Sequence, residues 1–200
     1  MLSMKTVYVG VYETWADWEI GHLLVELRTG RFTGEEWRVV TVGETVEPVV
    51  TMGGLRVVPE VALAEVSGGD LLVLAGSAQW DEGGGDGFVE LARRFLAAGV
   101  PVAAICGATA GLARGGLLDE RKHTSAVKEY LLGTGYAGGD NYVDARAVVD
   151  GDLITAGPDS PVQFARAVLS RLGLADEAKL EAYEGVFHRG DPAAYAGLVG

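Results

Sequence analysis

The sequence predicts an α/β fold, a mainly parallel sheet covered by helices, and three observations carry that expectation. Apolar strand candidates alternate with helical patterns along the 200 residues. The inner candidates "DLLVLAG" (70–76) and "PVAAI" (101–105) are continuous apolar runs, as strands buried on both faces must be. The glycines gather at turns, with no internal period and no low-complexity linker, so the expected organisation is one domain over 1–200.

In chain order, "KTVYVGV" (5–11) is a β-branched strand. "ADWEIGHLLVELRTG" follows with Trp18, Leu23 and Leu27 near helical spacing and Gly30 as its C-terminal cap. "WRVVTVG" (37–43) is a second strand, and "EPVVTMGGLRVVPE" a hairpin turning at Gly53-Gly54. Strand 70–76 leads to the helix "DGFVELARRFLAAG" (86–99), and then comes strand 101–105. "YVDARAVVDGDLITAG" holds two short strands joined by an Asp150-Gly151 turn. "PDSPVQFARAVLSRLG" is a helix with Asp159 or Ser160 as cap and Pro161 in its first turn.

Composition excludes several functions. A net charge of −12 argues against a phosphate backbone as partner, so no nucleic acid is expected, and the acidity serves solubility. No apolar run reaches the roughly 18 residues that span a bilayer, so no membrane partner is expected. "MLSMKTVYVG" lacks the pattern of a signal peptide and is expected to be a short tail entering the first strand. The lone cysteine fits a reducing cytoplasm. No cluster has metal-ligand spacing and no glycine-rich loop fits a nucleotide, so neither metal nor cofactor is expected.

That cysteine, Cys106, stands where "PVAAI" becomes "CGATAGLARGG". Open α/β sheets gather functional groups at the carboxyl ends of their strands. Gly107, Ala108 and Ala110 permit a tight strand-to-helix turn, a nucleophile elbow in its logic although not in its G-x-S-x-G pattern. A helix N-terminus favours thiolate, so the Cys106 pKa is expected below about 8.5; the alternative is a buried, inert thiol. "LLVLAGSAQW" ends a second strand in Gly76-Ser77, whose backbone N–H groups can meet an oxyanion, and then presents Trp80. "TWADWEIG" ends the first strand with Asp17 and Glu19 among Trp15 and Trp18. A carboxylate in so apolar a setting must be paired or protonated.

Together these segments resemble the ThiJ/PfpI superfamily, which includes the parkinsonism-associated deglycase and bacterial relatives, some labelled glutamine amidotransferase-like. "AAICGATAGLARGGLLDERKHTS" is similar to the family's cysteine elbow and its G-L-L-x-x-R and threonine-rich segment. "DWEIG", "LVLAGSAQW" and "YVDARAVVDGDLITAGPDSPVQFA" follow its other landmarks in order, so that the likeness spans about residues 5 to 172. The resemblance implies a flavodoxin-like three-layer αβα sandwich and a homodimer. It implies Cys106 as the reactive residue, Glu19 as the acid bonded to its sulfur, and Gly76, Ser77 and Gly107 around an oxyanion.

Two departures limit it. Position 107 is glycine where many family proteases carry histidine, and the chain has no distal His-x-Glu, so glutaminase activity is not expected. Of His22, His123 and His188, His123 in "RKHTS" is the candidate to approach the site as a base. The expected activity is a cysteine-dependent hydrolase or lyase acting on a small carbonyl or amide compound, with Trp15, Trp18 and Trp80 as an apolar wall. The alternatives are a redox-responsive protein whose Cys106 becomes a sulfinate, and a dimeric scaffold with an unreactive thiol.

Overall fold

Short apolar strands need cover on both faces, and the chain provides it by placing helices after most of them. The computed structural model describes residues 4–199. The expected tail at residues 1–3 lies outside that range.

The strands are β1 (Thr6–Gly10), β2 (Arg38–Gly43), β3 (Val49–Val50), β4 (Arg56–Val57), β5 (Val61–Ala62), β6 (Leu71–Leu74), β7 (Val102–Ile105), β8 (Ala147–Asp150) and β9 (Leu153–Ala156). The helices are α1 (Gly21–Thr29), α2 (Ala78–Asp81), α3 (Asp86–Ala97), α4 (Gly107–Arg114), α5 (Lys128–Leu132), α6 (Pro161–Arg171), α7 (Glu177–Phe187) and α8 (Tyr195–Val199). Seven strands form one sheet in the order β5-β2-β1-β6-β7-β9-β8, parallel throughout except for β8 against β9. One helical layer joins α1, α6 and α7, and the other groups α3 and α4 with the short α2 and α5. This is the flavodoxin-like three-layer sandwich.

Strands β6, β7 and β9 are buried along their whole length, which is why their sequences show no alternation. The chain winds from β1 outward to β2, then returns to place β6 on the other side of β1. That reversal opens a crevice at the carboxyl ends of β1 and β6, and the loops after β1, β6 and β7 all reach it.

Several expectations need adjustment. The first helix begins only at Gly21: residues 17–20 form turns, which leaves Trp18 half exposed and Glu19 ahead of the helix. Gly30 does cap it, at φ 57, with its N–H donating to the Glu26 carbonyl. The 47–60 segment is a hairpin, but its paired strands have two residues each and form a separate ribbon beside the main sheet. Neither Asp159 nor Ser160 caps α6 through its side chain; the Ser160 hydroxyl donates to Asp159 Oδ1 instead. Helices α7 and α8 were not anticipated. They bury Leu180, Tyr183 and Leu198 against the α1–α6 layer.

Candidate active site

Cys106 is the residue between β7 and α4, and its backbone sits at φ 58, ψ −128. Among the described residues only Thr14 shares a positive φ outside glycine. Such a conformation costs of order 1–3 kcal/mol and persists only when its surroundings hold it. Here the hold is explicit. The Cys106 N–H donates to the Ala156 carbonyl on β9 (3.0 Å), while its carbonyl accepts from the Thr109 N–H (3.1 Å) and hydroxyl (2.6 Å). Thr109 is held in turn by Ser125, 2.7 Å away.

The small residues after Cys106 have a second purpose that the sequence did not disclose. Gly107 and Gly111, one turn apart on α4, form a slot for the Trp80 indole. A Cβ added at Gly111 would lie 2.4 Å from that ring, and one at Gly107 would lie 3.3 Å away. Trp80 is fully buried, and its ring N–H donates to the Ala75 carbonyl (2.9 Å). The indole expected to contact substrate is therefore a wedge beneath the elbow.

Glu19 lies in the same crevice with no exposed surface. Its Oε2 accepts the Gly76 N–H at 2.7 Å, while Oε1 makes no well-formed hydrogen bond. A Cβ on Gly76 would sit 3.0 Å from both carboxyl oxygens and 3.1 Å from the Cys106 Cβ, so only glycine fits between the acid and the nucleophile. Burial raises the Glu19 carboxyl to about 7 against lowering by Gly76 and the thiol. The thiol is pushed up to about 12, first by burial, then by the charge of Glu19 and its hydrogen bond; the Gly107 N–H opposes this and is outweighed. The expected low thiol pKa is thus corrected. At a partly buried sulfur beside a carboxylate, the N-terminus of an eight-residue helix does not outweigh desolvation and that charge.

Counting backbone donors narrows the oxyanion site. The N–H of Gly76 is occupied by Glu19, that of Ala78 by Thr14 Oγ1 (3.0 Å) and that of Gln79 by Ser77 Oγ (3.1 Å). Among the described residues the Ser77 N–H has no hydrogen-bond partner, and Ser77 packs beside Gly107 at the start of α4. Thr14, at φ 55, fastens this loop: its N–H also donates to Val50 of the hairpin, and the Ser77 hydroxyl donates to the Glu13 carbonyl.

Cys106, Glu19, Gly76, Ser77 and Gly107 line one cavity of about 320 Å³. Sequence reasoning missed Met52, Asp81, Tyr130 and Pro158, which complete its wall with Trp18. His123 does not line it. It is fully buried, its Nδ1 donates to the Arg121 carbonyl (2.7 Å), and its Nε2 faces the Tyr136 hydroxyl (3.0 Å). Burial lowers its pKa, so the ring is a neutral packing element between Tyr136 and Tyr142. His22 packs against Tyr183 and Phe187. Among the described residues no group of His, Cys, Asp and Glu has the arrangement of a metal site.

The model of the DJ-1/PfpI family matches residues 5–171. The chain belongs to that family. It is 38% identical over 178 residues to a Bacillus subtilis protein named "Uncharacterized protease YoaZ", covering 86% of this chain and 85% of that one. A thiJ/pfpI family protein from Bacillus anthracis superposes with a TM-score of 0.91 at 36% identity, over 98% of this chain and 97% of the other. Drosophila melanogaster DJ-1beta does so at 0.70 and 25% identity, over 91% and 96%. The DJ-1/PfpI match stops at α6, so α7 and α8 lie beyond it.

Proposed function

We propose that this DJ-1/PfpI chain is a single-domain, cysteine-dependent hydrolase or lyase of small carbonyl or amide compounds. The observation that carries the reading is a strained Cys106 sharing a cavity with a buried carboxyl and an unspent Ser77 N–H. The protease name of the Bacillus subtilis relative agrees with hydrolysis. Above about pH 7 the Glu19 carboxylate takes the thiol proton as sulfur adds to the carbonyl carbon. The carbonyl electron pair moves to oxygen, which the Ser77 and Gly107 N–H groups receive. Glu19 then returns the proton to the departing nitrogen. Water then attacks the thioester, giving a proton to Glu19, and as the acid product leaves Glu19 passes that proton to the departing sulfur, which restores the thiol and the carboxylate.

Turnover of a panel of small amides, esters and aldehydes tests this, with Cys106→Ala as the control. The expected result is turnover that the substitution abolishes, with a Cys106 adduct in the intact mass. Turnover that survives Cys106→Ala, or no turnover at all, overturns it. A redox-responsive role is supported by the unpartnered Glu19 Oε1, which when protonated can donate to a sulfinate oxygen. Ready sulfinate formation by peroxide, without turnover of any substrate, would select that role.

The family resemblance supports a homodimer, and the lone thiol supports a reducing compartment such as the cytoplasm. Light scattering should give twice the 20.9 kDa chain mass at micromolar concentration; the single-chain mass would refute the dimer.

A further inference from the structure

The cavity over Cys106 is charged with one sign only. Its lining holds two carboxyl groups, Glu19 and Asp81, and no lysine, arginine or histidine. Glu19 Oε1 is fully buried at the wall of this space and makes no well-formed hydrogen bond, with only the Cys106 thiol beside it, so it can accept a donor that a ligand brings. Asp81, at the end of α2, accepts the Tyr130 hydroxyl on Oδ1 at 2.6 Å. That bond fixes the carboxylate while leaving Oδ2 open, and Asp81 forms no ion pair among the described residues. The Arg114 guanidinium, whose charge reaches Tyr130, is spent on the Trp80 (2.6 Å) and Gly84 (3.0 Å) carbonyls and does not line the cavity. Trp18, 51% exposed, adds an indole face of the kind that attracts cations.

We propose that the cavity selects small carbonyl or amide compounds that carry an ammonium or guanidinium group, received by Asp81 with Tyr130 bracing its carboxylate. The assignment rests on Cys106 reacting as described above. A carboxylate or phosphate finds no counter-charge in this space and meets repulsion from both acids. A cation satisfies the open oxygens. It also offsets the Asp81 charge, which contributes to holding the thiol up.

The test uses three alkylating probes of similar size: bromoethylamine, iodoacetamide and iodoacetate. Rates at Cys106 are read by intact mass and divided by the rates of the same reagents with free cysteine. The division, followed by the ratio between reagents at one pH, removes both reagent reactivity and thiol ionisation. The cationic probe should be favoured over the neutral one by about fivefold, the scale of an exposed ion pair, and the anionic probe disfavoured. Added salt should shrink the preference. Asp81→Asn should lower the cation-to-neutral ratio most of the way toward that of free cysteine, and Asp81→Glu should retain more of it. A wild-type ratio equal to that of free cysteine, or one unchanged by Asp81→Asn, overturns the proposal while leaving the cysteine chemistry standing. No labelling by any probe overturns both.

Discussion

Glu19 and Cys106 share one proton's worth of chemistry, and the pair must be treated as a unit. Replacing Glu19 with Gln keeps the volume and removes the charge that holds the thiol up. The midpoint of iodoacetamide labelling against pH should therefore fall by at least one pH unit, roughly the influence of a single nearby charge. An unchanged midpoint would remove Glu19 from the site. Stability carries the same signature. The native carboxyl titrates at about 7 and its ordinary value is 4.5, so the native state holds a proton that the unfolded chain releases between those values. The Glu19 contribution is intact below pH 4.5 and lost as pH rises through 7. Glu19→Gln should flatten this decline by on the order of 2–3 kcal/mol, measured by denaturant titration at pH 5 and pH 8. Cys106 was legible because it follows an apolar strand at a turn of small residues, whereas Glu19 was legible only through the family resemblance, a glutamate being by default a surface residue. Asp81 and Tyr130 were not, since an exposed acid and a half-buried tyrosine on separate short helices give no sign that they meet.

Helix α4 shows how an element can be read correctly for an incomplete reason. Its small residues do relieve crowding at the elbow, yet seven of its eight residues are buried, and the glycine pair exists to seat Trp80. Gly111→Ala should accordingly do harm although alanine is the better helix former. Its methyl group would enter an indole already hydrogen-bonded to Ala75, so overpacking outweighs propensity. The expected loss is about 1–3 kcal/mol in urea unfolding. A neutral or stabilised variant would show that Trp80 can shift. His123 marks the opposite failure. Its place beside the elbow in sequence suggested a base, whereas its partners Tyr136 and Tyr142 come from a later segment that no local pattern announces.

At the scale of the molecule, the main strands and their parallel character followed from apolar runs and turn glycines, and the C-terminal helices did not. Helix α7 alternates too weakly between apolar and polar residues to declare a face. It docks through an aromatic group, Tyr183 and Phe187, around His22 and Phe32. The same region holds Glu26, whose side chain has no exposed surface and accepts a forked pair of bonds from Arg31. Arg31 also stacks on Phe32, 4.5 Å from its centroid. Arg31→Met keeps the stem and strands the buried carboxylate, which should cost about 3 kcal/mol at neutral pH. Thermal unfolding showing no loss would mean that water reaches Glu26.

The four tryptophans divide unequally between the interior and the crevice. Trp15, Trp37 and Trp80 are 8%, 1% and 0% exposed, whereas Trp18 stands half in solvent on the cavity wall. Indole emission moves to longer wavelength in water, so the native spectrum should combine a large blue component with one red shoulder. A ligand entering over Cys106 should quench or shift the shoulder alone, while unfolding should move the whole band. Trp18→Phe should delete the shoulder and the ligand response together. The protein thus carries an optical readout that separates occupancy of the crevice from integrity of the fold, without any attached dye.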